Sequence, residues 1–458
     1  MDVDTPTATR RVRRGDELEL TIDSLAYGGA GVARLDGYVV FVQGGVPGDR
    51  VKALVGKSKR AYAEARAIEI VEPSPDRIPA RAEHPGAPWQ VLPYERQLEV
   101  KRVQVDDALR RIGKLDGFEL EPSVPAVEQW RYRNKLEYSF GMNPGGRLVC
   151  GFHAPGRWND IVEVTDCLLA SEPANAAREA VGEWCRANGL TAYDRHSGEG
   201  FLRNLVVREG RRTEEVQVRL VTSPGRLDRS ALAEAVANIA AGVLWTQVHG
   251  VAEVTHGGET ELIAGSDRLE EQLGGLSLSI SPLAFFQTNT EMAERLFAAA
   301  IELAELTGFE RVYDLYCGIG TIGLLMAPRV AEVWGLELVE EAISDAIANA
   351  ERNEIDNARF FAGDVRLALR ELHRTAGSPD VLVVDPPRAG LSQKVVRRIV
   401  EAGPERIVYV SCNPTTLAPN AAQLNEAGYT LTRVRPVDMF PQTPHIECVA
   451  LLERRGGP

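Results

Sequence analysis

The sequence predicts a multi-domain chain: an N-terminal OB-like β-barrel, a central α+β domain, and a C-terminal α/β domain built on a doubly wound, Rossmann-like sheet. Three observations predict it. Alternating apolar residues and glycine-rich turns fill the first seventy or so positions. Strand and helix patterns mix from about residue 125 to 280. A strand–turn–helix rhythm then runs to the end. At 458 residues the chain has room for two to four domains of about 100–200 residues each.

The barrel is expected over residues 8–72. Leu18, Leu20 and Ile22 alternate as one face of a strand, Val39 and Phe41 continue the pattern, and Val51, Ala53 and Val55 repeat it. Gly28–Gly31 and Gly44–Asp49 read as turns, so about five short strands close into a small barrel. Residues 1–14 are polar and expected to be mobile, and Glu72–Asp76 reads as a linker. The central domain is expected over 73–280. It includes a helix over 97–112 that Gly113 stops and that packs on the C-terminal domain, a strand over 203–209 and a helix over 230–240. The C-terminal domain, 281–458, contains four short apolar strands: Val312–Leu315, Val333–Leu336, Val381–Val384 and Ile407–Val410. Ligands of such a sheet lie at the carboxyl ends of its strands.

Composition narrows the class. No run of 18 apolar residues occurs, so no membrane helix and no membrane partner is expected. The first twenty residues hold no apolar signal segment, and the six cysteines form no C-x-x-C pair; both point to a reducing cytoplasm. The net charge of −13 argues against a strongly basic nucleic-acid binder, but it is uneven. Residues 1–120 sum to zero and residues 121–458 carry the whole −13. Basic clusters stand at Lys52–Arg60 and at Arg131, Arg133 and Lys135.

The turn after the first C-terminal strand reads Asp314-Leu315-Tyr316-Cys317-Gly318-Ile319-Gly320. Glycines there let the backbone approach a ligand. Gly318, Gly320 and Gly323 also fit the dinucleotide spacing, but Asp314 before the loop suits an amine-bearing or cationic cofactor better than a pyrophosphate. Glu337 closes the second strand, where an acid accepts both ribose hydroxyls, and Asp364 closes the third, where it can meet an adenine amine. Three acids at three strand ends describe a site for S-adenosylmethionine. The alternative is that each acid merely caps the next helix.

Asp385-Pro386-Pro387-Arg388 follows the fourth strand. The prolines hold the turn extended with the acid outward, and Arg388, in place of an aromatic, disfavours amine methylation. Ser411-Cys412-Asn413-Pro414 follows the fifth. A cysteine beside a methyl donor has a defined use. Uracil C5 is a poor nucleophile until a thiolate adds to C6 and makes an enolate of the ring. An ordinary thiol is only a few per cent ionised at about pH 7, so the site must lower its pKa or collect its proton. Loss of the C5 proton after methylation needs a base, for which His445 and Glu447 are both candidates.

Together DLYCGIG, DPPRAGL, YVSCNPTTLA and DMFPQTPHIE resemble the RNA uracil-5-methyltransferase family, and the barrel resembles the TRAM RNA-binding domain. The resemblance implies a class I methyltransferase fold, S-adenosylmethionine as cofactor and 5-methyluridine as product. It implies Cys412 as nucleophile, Glu447 rather than His445 as base, and Asp385 as an acid between cofactor and target base. Gln287, Tyr316, Gly318, Thr321, Glu337, Asp364 and Asp385 are the implied cofactor contacts, with Thr321 standing where many relatives have Asn. Many members hold a [4Fe–4S] cluster on four cysteines. Here Glu83–Tyr94 contains none and Cys167 matches only the fourth, so no cluster and no metal is expected.

The implied partner is structured RNA, with 23S ribosomal RNA preferred because resembling bacterial transfer-RNA enzymes commonly lack the barrel. The T-loop uridine of transfer RNA is the alternative, and a monomer is expected. Recognition would proceed by shape and a splayed base, with a modest salt dependence. A 5-methylcytosine enzyme would resemble a two-cysteine arrangement not seen here. A non-catalytic RNA-binding protein or a nicotinamide oxidoreductase gives Cys412 and Glu447 no joint role.

Overall fold

The computed structural model describes residues 12–456. The expected start of the barrel at residue 8 and most of the polar N-terminal stretch lie outside the described residues. Within the described part, Val12 is not loose. It is buried in the barrel core, and its carbonyl accepts from Ser58 Oγ at 2.8 Å.

The chain divides into two compact units. The first comprises the N-terminal 82 residues, Ala87–Gln104 and Phe440–His445. Its sheet has six strands rather than five: β1 Glu17–Thr21, β2 Ser24–Leu25, β3 Gly31–Leu35, β4 Tyr38–Gln43, β5 Arg50–Ser58 and β6 Tyr62–Glu72. They run in the order β1-β5-β6-β4-β3-β2, antiparallel except for the β4–β6 pair. Three register shifts in the β5–β6 ladder bend these two long strands around one core. That core is Leu20, Ile22, Ala33, Val40, Val42, Val51, Ala53, Val55, Ala63 and Ala65. The parity of β4 is the reverse of the expected one. Val40 and Val42 face in, while Phe41 packs edge-on against Tyr62 at 5.7 Å. The run YVVFVQ is apolar on both faces, so alternation alone does not choose the inner one.

The expected linker is instead locked down. Asp49 is fully buried and accepts from Val46 N at 2.8 Å, Ser74 N at 2.9 Å, and Arg77 Nε and Nη2 at 3.0 and 2.6 Å. Burial alone would raise this carboxyl, but Arg77 and the two amides outweigh it and hold it below the usual range. Helix α1, Tyr94–Asp107, begins in the same unit. Its buried Gln97 donates to Trp89 O, Leu92 O and Gln442 Oε1 at 2.9–3.0 Å and accepts from Gln442 N at 2.9 Å. Lys101 donates to Phe440 O at 3.0 Å. These bonds make the distant hexapeptide 440–445 part of the first unit.

The second unit holds the rest. The chain of α1 continues as a π-helical turn, Ala108–Ile112, which ends where Gly113 N bonds Ala108 O. A side chain on Gly113 would sit 2.7 Å from Leu109 O and 3.0 Å from Ala418 O, so the stop also requires a glycine for close packing. Val105, Ala108 and Leu109 lie in the core of the C-terminal sheet. The strand β7, Glu119–Leu120, follows. A seven-stranded sheet is built from β8 Lys135–Met142, β9 Leu148–Ala154, β10 Arg157–Glu163, β11 Leu202–Gly210, β12 Glu215–Thr222, β13 Gly242–Gln247 and β14 Glu259–Gly265. Its order is β10-β9-β8-β11-β12-β13-β14. Helices α2, Glu172–Ala187, and α3, Arg229–Val236, accompany it, and β15 Leu269–Leu273 pairs with β16 Leu276–Ile280 as a hairpin.

The C-terminal part alternates α4 Thr290–Ala304, β17 Arg311–Leu315, α5 Thr321–Met326, β18 Glu332–Glu337, α6 Glu340–Arg352, β19 Ala358–Ala362, α7 Val365–Ala376, β20 Val381–Val384, α8 Gln393–Ala402, β21 Arg406–Ser411, α9 Pro414–Glu426, β22 Tyr429–Val437 and β23 Glu447–Arg454. The order is β19-β18-β17-β20-β21-β23-β22-β7. The five strands from β19 to β21 are parallel, and β23 lies antiparallel between β21 and β22. Strand order reverses beside β17, which opens a crevice at the carboxyl ends of β17, β18 and β20. Every residue of β20 is buried, as expected for a strand covered on both faces.

Removing the Asp49 carboxylate leaves two amides unpaired and Arg77 without its counter-ion, held only by Gly44 O at 3.0 Å. Asp49→Ala should cost about 3 kcal/mol or more. Hydrogen exchange of the β5 and β6 amides should therefore speed up roughly a hundredfold. Unchanged protection would contradict the buried pair.

Candidate active site

Asp314 sits near the end of β17 with 1% exposure. Its Oδ2 accepts from Gly323 N at 2.9 Å, while its Oδ1 is buried without a protein partner. Burial, with the charges of Asp385 and Glu337 adding to it, pushes this carboxyl up to about 7. A buried acceptor left open is what an amine-bearing ligand would satisfy. The glycines divide by role. A side chain on Gly320 would strike Phe360 at 2.9 Å, and one on Gly323 would strike Val333 at 2.9 Å and Asp314 Oδ2 at 3.0 Å, so packing requires both. At Gly318, φ is +54° and a side chain would meet nothing within 4 Å, so this residue alone faces open space. Tyr316 also has positive φ, at 62°, with its amide bonded to Leu336 O at 2.8 Å. Thr321 starts α5 and is buried.

Glu337 ends β18. Its Oε2 accepts from Gly318 N at 3.3 Å, and its Oε1 accepts from Leu338 N and Val339 N at 2.6 and 3.0 Å. It thus caps α6, whose own N-cap residue, Val339, has no capping side chain. Leu338 and Val339 stay 64% and 53% exposed, an apolar surface beside the loop that the sequence reading missed. The signal was present: two apolar residues stand where a polar cap is the norm. Asp364 lies two residues beyond β19, caps α7 through Arg366 N at 2.9 Å and is ion-paired with the Arg366 side chain. The pairing with Arg366 is foremost in holding its carboxyl low. For Glu337 and Asp364, capping and ligand contact are therefore compatible rather than alternative, since a carboxylate has about four acceptor sites.

Gln287 lies on the segment before α4, and the seven-stranded sheet holds that segment. Asn134 donates from Nδ2 to Gln287 O at 2.9 Å and from its backbone to Thr288 O at 3.0 Å. The buried Arg208 donates to Ser281 O and Pro282 O at 2.8 and 3.0 Å. Neither residue was singled out from sequence. Asn134 lies inside the basic cluster around Arg131, which is not a free cationic patch. Arg131 forks onto Asp166 at 2.9 and 2.8 Å, and Lys135 pairs with Glu137 at 2.8 Å. In the barrel, Lys52 and Lys57 are likewise paired, with Glu17 and Glu64 at 2.7 and 2.9 Å.

The reactive groups meet through sheet topology. Asp385 follows β20, Cys412 follows β21 and Glu447 opens β23. Ser411 is paired with Cys448, so the next residues outward, Cys412 and Glu447, emerge together. Asn413 Nδ2 donates to Arg388 O at 3.0 Å and ties the two turns. Burial first, then Glu447 and Asp385, push the Cys412 thiol up to about 11, with Arg388 opposing. Burial pushes Asp385 up to about 7, and burial and Asp385 push Glu447 well above its ordinary range. Of the two routes expected for the thiol, the protein groups alone do not lower its pKa. His445 belongs to the first unit, with its ring edge-on to Phe440 at 5.6 Å. Elsewhere, Cys167 is fully buried with its sulfur 3.3 Å from His84 Nε2, in the segment that lacks cysteines.

A sheet of this order, with a glycine loop, acidic strand ends and a strand-end cysteine at its carboxyl edge, defines a class I methyltransferase domain that follows an N-terminal barrel in the chain. The model for the TRAM domain matches residues 11–68, and that for tRNA (uracil-5-)-methyltransferase matches residues 272–455. An uncharacterized RNA methyltransferase of Halalkalibacterium halodurans is 38% identical over 451 residues, 96% of this chain and 98% of that one. One of Clostridium tetani is 36% identical over 97% of this chain and 99% of its own. The crystal structure of Pyrococcus abyssi tRNA (uracil-54, C5)-methyltransferase, in complex with S-adenosyl-L-homocysteine, superposes with a TM-score of 0.77. It is 32% identical, and the match covers 95% of this chain and all of that one. The chain belongs to the RNA (uracil-5-)-methyltransferase family.

With the thiol this high, alkylation of Cys412 by iodoacetamide should keep accelerating past about pH 9 in the ligand-free enzyme. Peptide mass spectrometry reads this directly. A rate that is already level near about pH 8 would contradict a buried, acid-surrounded thiol.

Proposed function

We propose that this chain methylates C5 of a uridine in structured RNA, using S-adenosylmethionine and a transient bond from Cys412 to C6. The observation that carries the reading is the meeting of Cys412, Glu447 and Asp385 at one end of the sheet, beside the Asp314–Gly318 loop. When bound, S-adenosylmethionine supplies an electrophilic methyl group. Asp314 Oδ1, Gly318, Glu337 and the Leu338–Val339 surface would hold it, with Gln287, Tyr316, Thr321, Asp364 and Asp385 completing the contacts. The unsatisfied Asp314 oxygen and the open side of Gly318 fit such a molecule.

Cys412 adds to C6, which places negative charge on the ring and makes C5 nucleophilic. The thiol proton must leave as this happens. Asp385, close enough to raise the thiol and itself at about 7, is matched to accept it near neutral pH. Once C5 is methylated, Glu447, which must be in its carboxylate form at this stage, takes the C5 proton, and elimination frees Cys412. The target uridine must be unstacked to reach this cleft.

23S ribosomal RNA, the substrate expected from sequence, and a T-loop uridine of transfer RNA are the two readings of the substrate. A specific observation supports the second: the Pyrococcus transfer-RNA enzyme matches 95% of this chain, so the barrel is shared and does not separate the two. Methylation of unmodified 23S and transfer-RNA transcripts side by side distinguishes them.

Cys412→Ala should abolish 5-methyluridine formation, whereas Glu447→Gln should accumulate a protein–RNA adduct that survives a denaturing gel. Full turnover by Cys412→Ala would end the covalent mechanism. We also propose that the protein carries no iron–sulfur cluster, on the ground that Cys167 has a histidine and not further cysteines as its neighbour. Anaerobically purified protein should contain no stoichiometric iron; about four irons per chain would refute this.

A further inference from the structure

A cavity of about 260 Å³ lies in the seven-stranded sheet, between β8–β10 and the loop 192–196. The sequence stretch Tyr193-Asp194-Arg195-His196 at its rim has no part in the chemistry above. We propose that this cavity receives a single unstacked nucleobase of the RNA, separate from the uridine that reaches Cys412. The proposal rests on the reading of the chain as an RNA methyltransferase.

Size comes first. Small-molecule sites usually enclose about 300–1,000 Å³, so this cavity is too small for a whole nucleotide cofactor and suited to one flat ring system. The lining has the two kinds of surface a base needs. Phe140 and Ile161 give an apolar floor. At the rim the Tyr193 ring is backed by the Arg203 guanidinium, 4.0 Å from its centroid. Arg203 is itself fixed by Ser223 Oγ at 3.0 Å and by the carbonyls of Gly250 and Ala252 at 2.5 and 3.1 Å. That makes a rigid aromatic–cation platform for stacking.

Hydrogen-bonding edges come next. His153 Nε2 lies 3.0 Å from Glu253 Oε1, and Asn159 Nδ2 lies 3.0 Å from His196 Nε2. Glu253 also accepts from Ser139 Oγ at 2.5 Å and Asn204 Nδ2 at 3.1 Å, and it is ion-paired with Arg195. Its charge is therefore offset, which removes the repulsion an RNA backbone would otherwise meet. A metal does not fit, since no group of three or more His, Cys, Asp or Glu among the described residues is placed to hold one. A purely apolar ligand would make no use of the His153, Asn159, His196 and Glu253 groups that line the cavity. Single-stranded RNA is read by this combination of stacking and edge contacts.

The test compares the wild type with His196→Ala and with Met142→Trp, which fills the cavity from an exposed position at its edge. Binding of fluorescent unmodified 23S and transfer-RNA transcripts, and of a mixed-sequence single strand, is read by anisotropy. S-adenosylmethionine binding is read by calorimetry. Both variants should weaken binding of at least one RNA about tenfold or more and leave S-adenosylmethionine binding within about twofold. RNA binding by both variants within about twofold of wild type would overturn the proposal. Wild type that binds RNA through this cavity but forms no 5-methyluridine would sink the methylation reading alone. Wild type that binds no RNA would sink both.

Discussion

The antiparallel ladder between β21 and β23 is the constraint on which the site depends. Ser411 pairs with Cys448, and because β23 runs opposite to β21, the residue that leaves one strand meets the residue that enters the other. In a parallel arrangement Glu447 would stand at the far end of an eight-residue strand, roughly 20 Å or more from Cys412. A one-residue slip would turn Glu447 to the other face. The pairing of Val437 with Glu447 on the opposite side of β23 holds the same register from β22. A cysteine and a glutamate 35 positions apart in sequence become neighbours because a late strand is inserted into the middle of the sheet rather than added to its edge.

Electrostatics follows from that convergence. Asp314, Asp385, Glu447 and the Cys412 thiol all lie in a region where burial and mutual repulsion favour their neutral forms. Such a cleft is built for a visitor that brings positive charge, which is the property S-adenosylmethionine would supply in the proposed reaction. The same acids are counted in the formal −13 of residues 121–458 although the cleft favours their neutral forms. The negative total therefore belongs in part to the cleft and is no argument against RNA elsewhere. Several lysines and arginines that look available in sequence are already paired, which is consistent with recognition by shape and unstacked bases over bulk attraction.

Much of this was legible beforehand because short, local signals carried it. The apolar strands ending in DLYCG, DPPR and SCNP occur where the sequence places them, since buried parallel strands are written as continuous apolar runs. The parity of β4 was not legible, because both faces of YVVFVQ are apolar. Nor was the locking of the 72–76 segment, which depends on a single buried acid 25 residues away from Ser74. Asn134 and Arg208 act through backbone carbonyls of a segment more than 70 residues distant, and no local pattern announces such a role. The assignment of 440–445 to the first unit, between catalytic-domain strands β22 and β23, rests on Gln97 and Gln442, a pair separated by 345 positions.

The covalent role of Cys412 is the central claim, and RNA carrying 5-fluorouridine tests it most directly. Fluorine at C5 denies Glu447 a proton to remove, so the adduct cannot break down. With S-adenosylmethionine present, the wild-type enzyme should become covalently attached to this RNA. Mass spectrometry should then find the methylated fluoropyrimidine on the peptide that contains Cys412. Attachment at another cysteine, or none while ordinary RNA of the same sequence is methylated, would contradict the account.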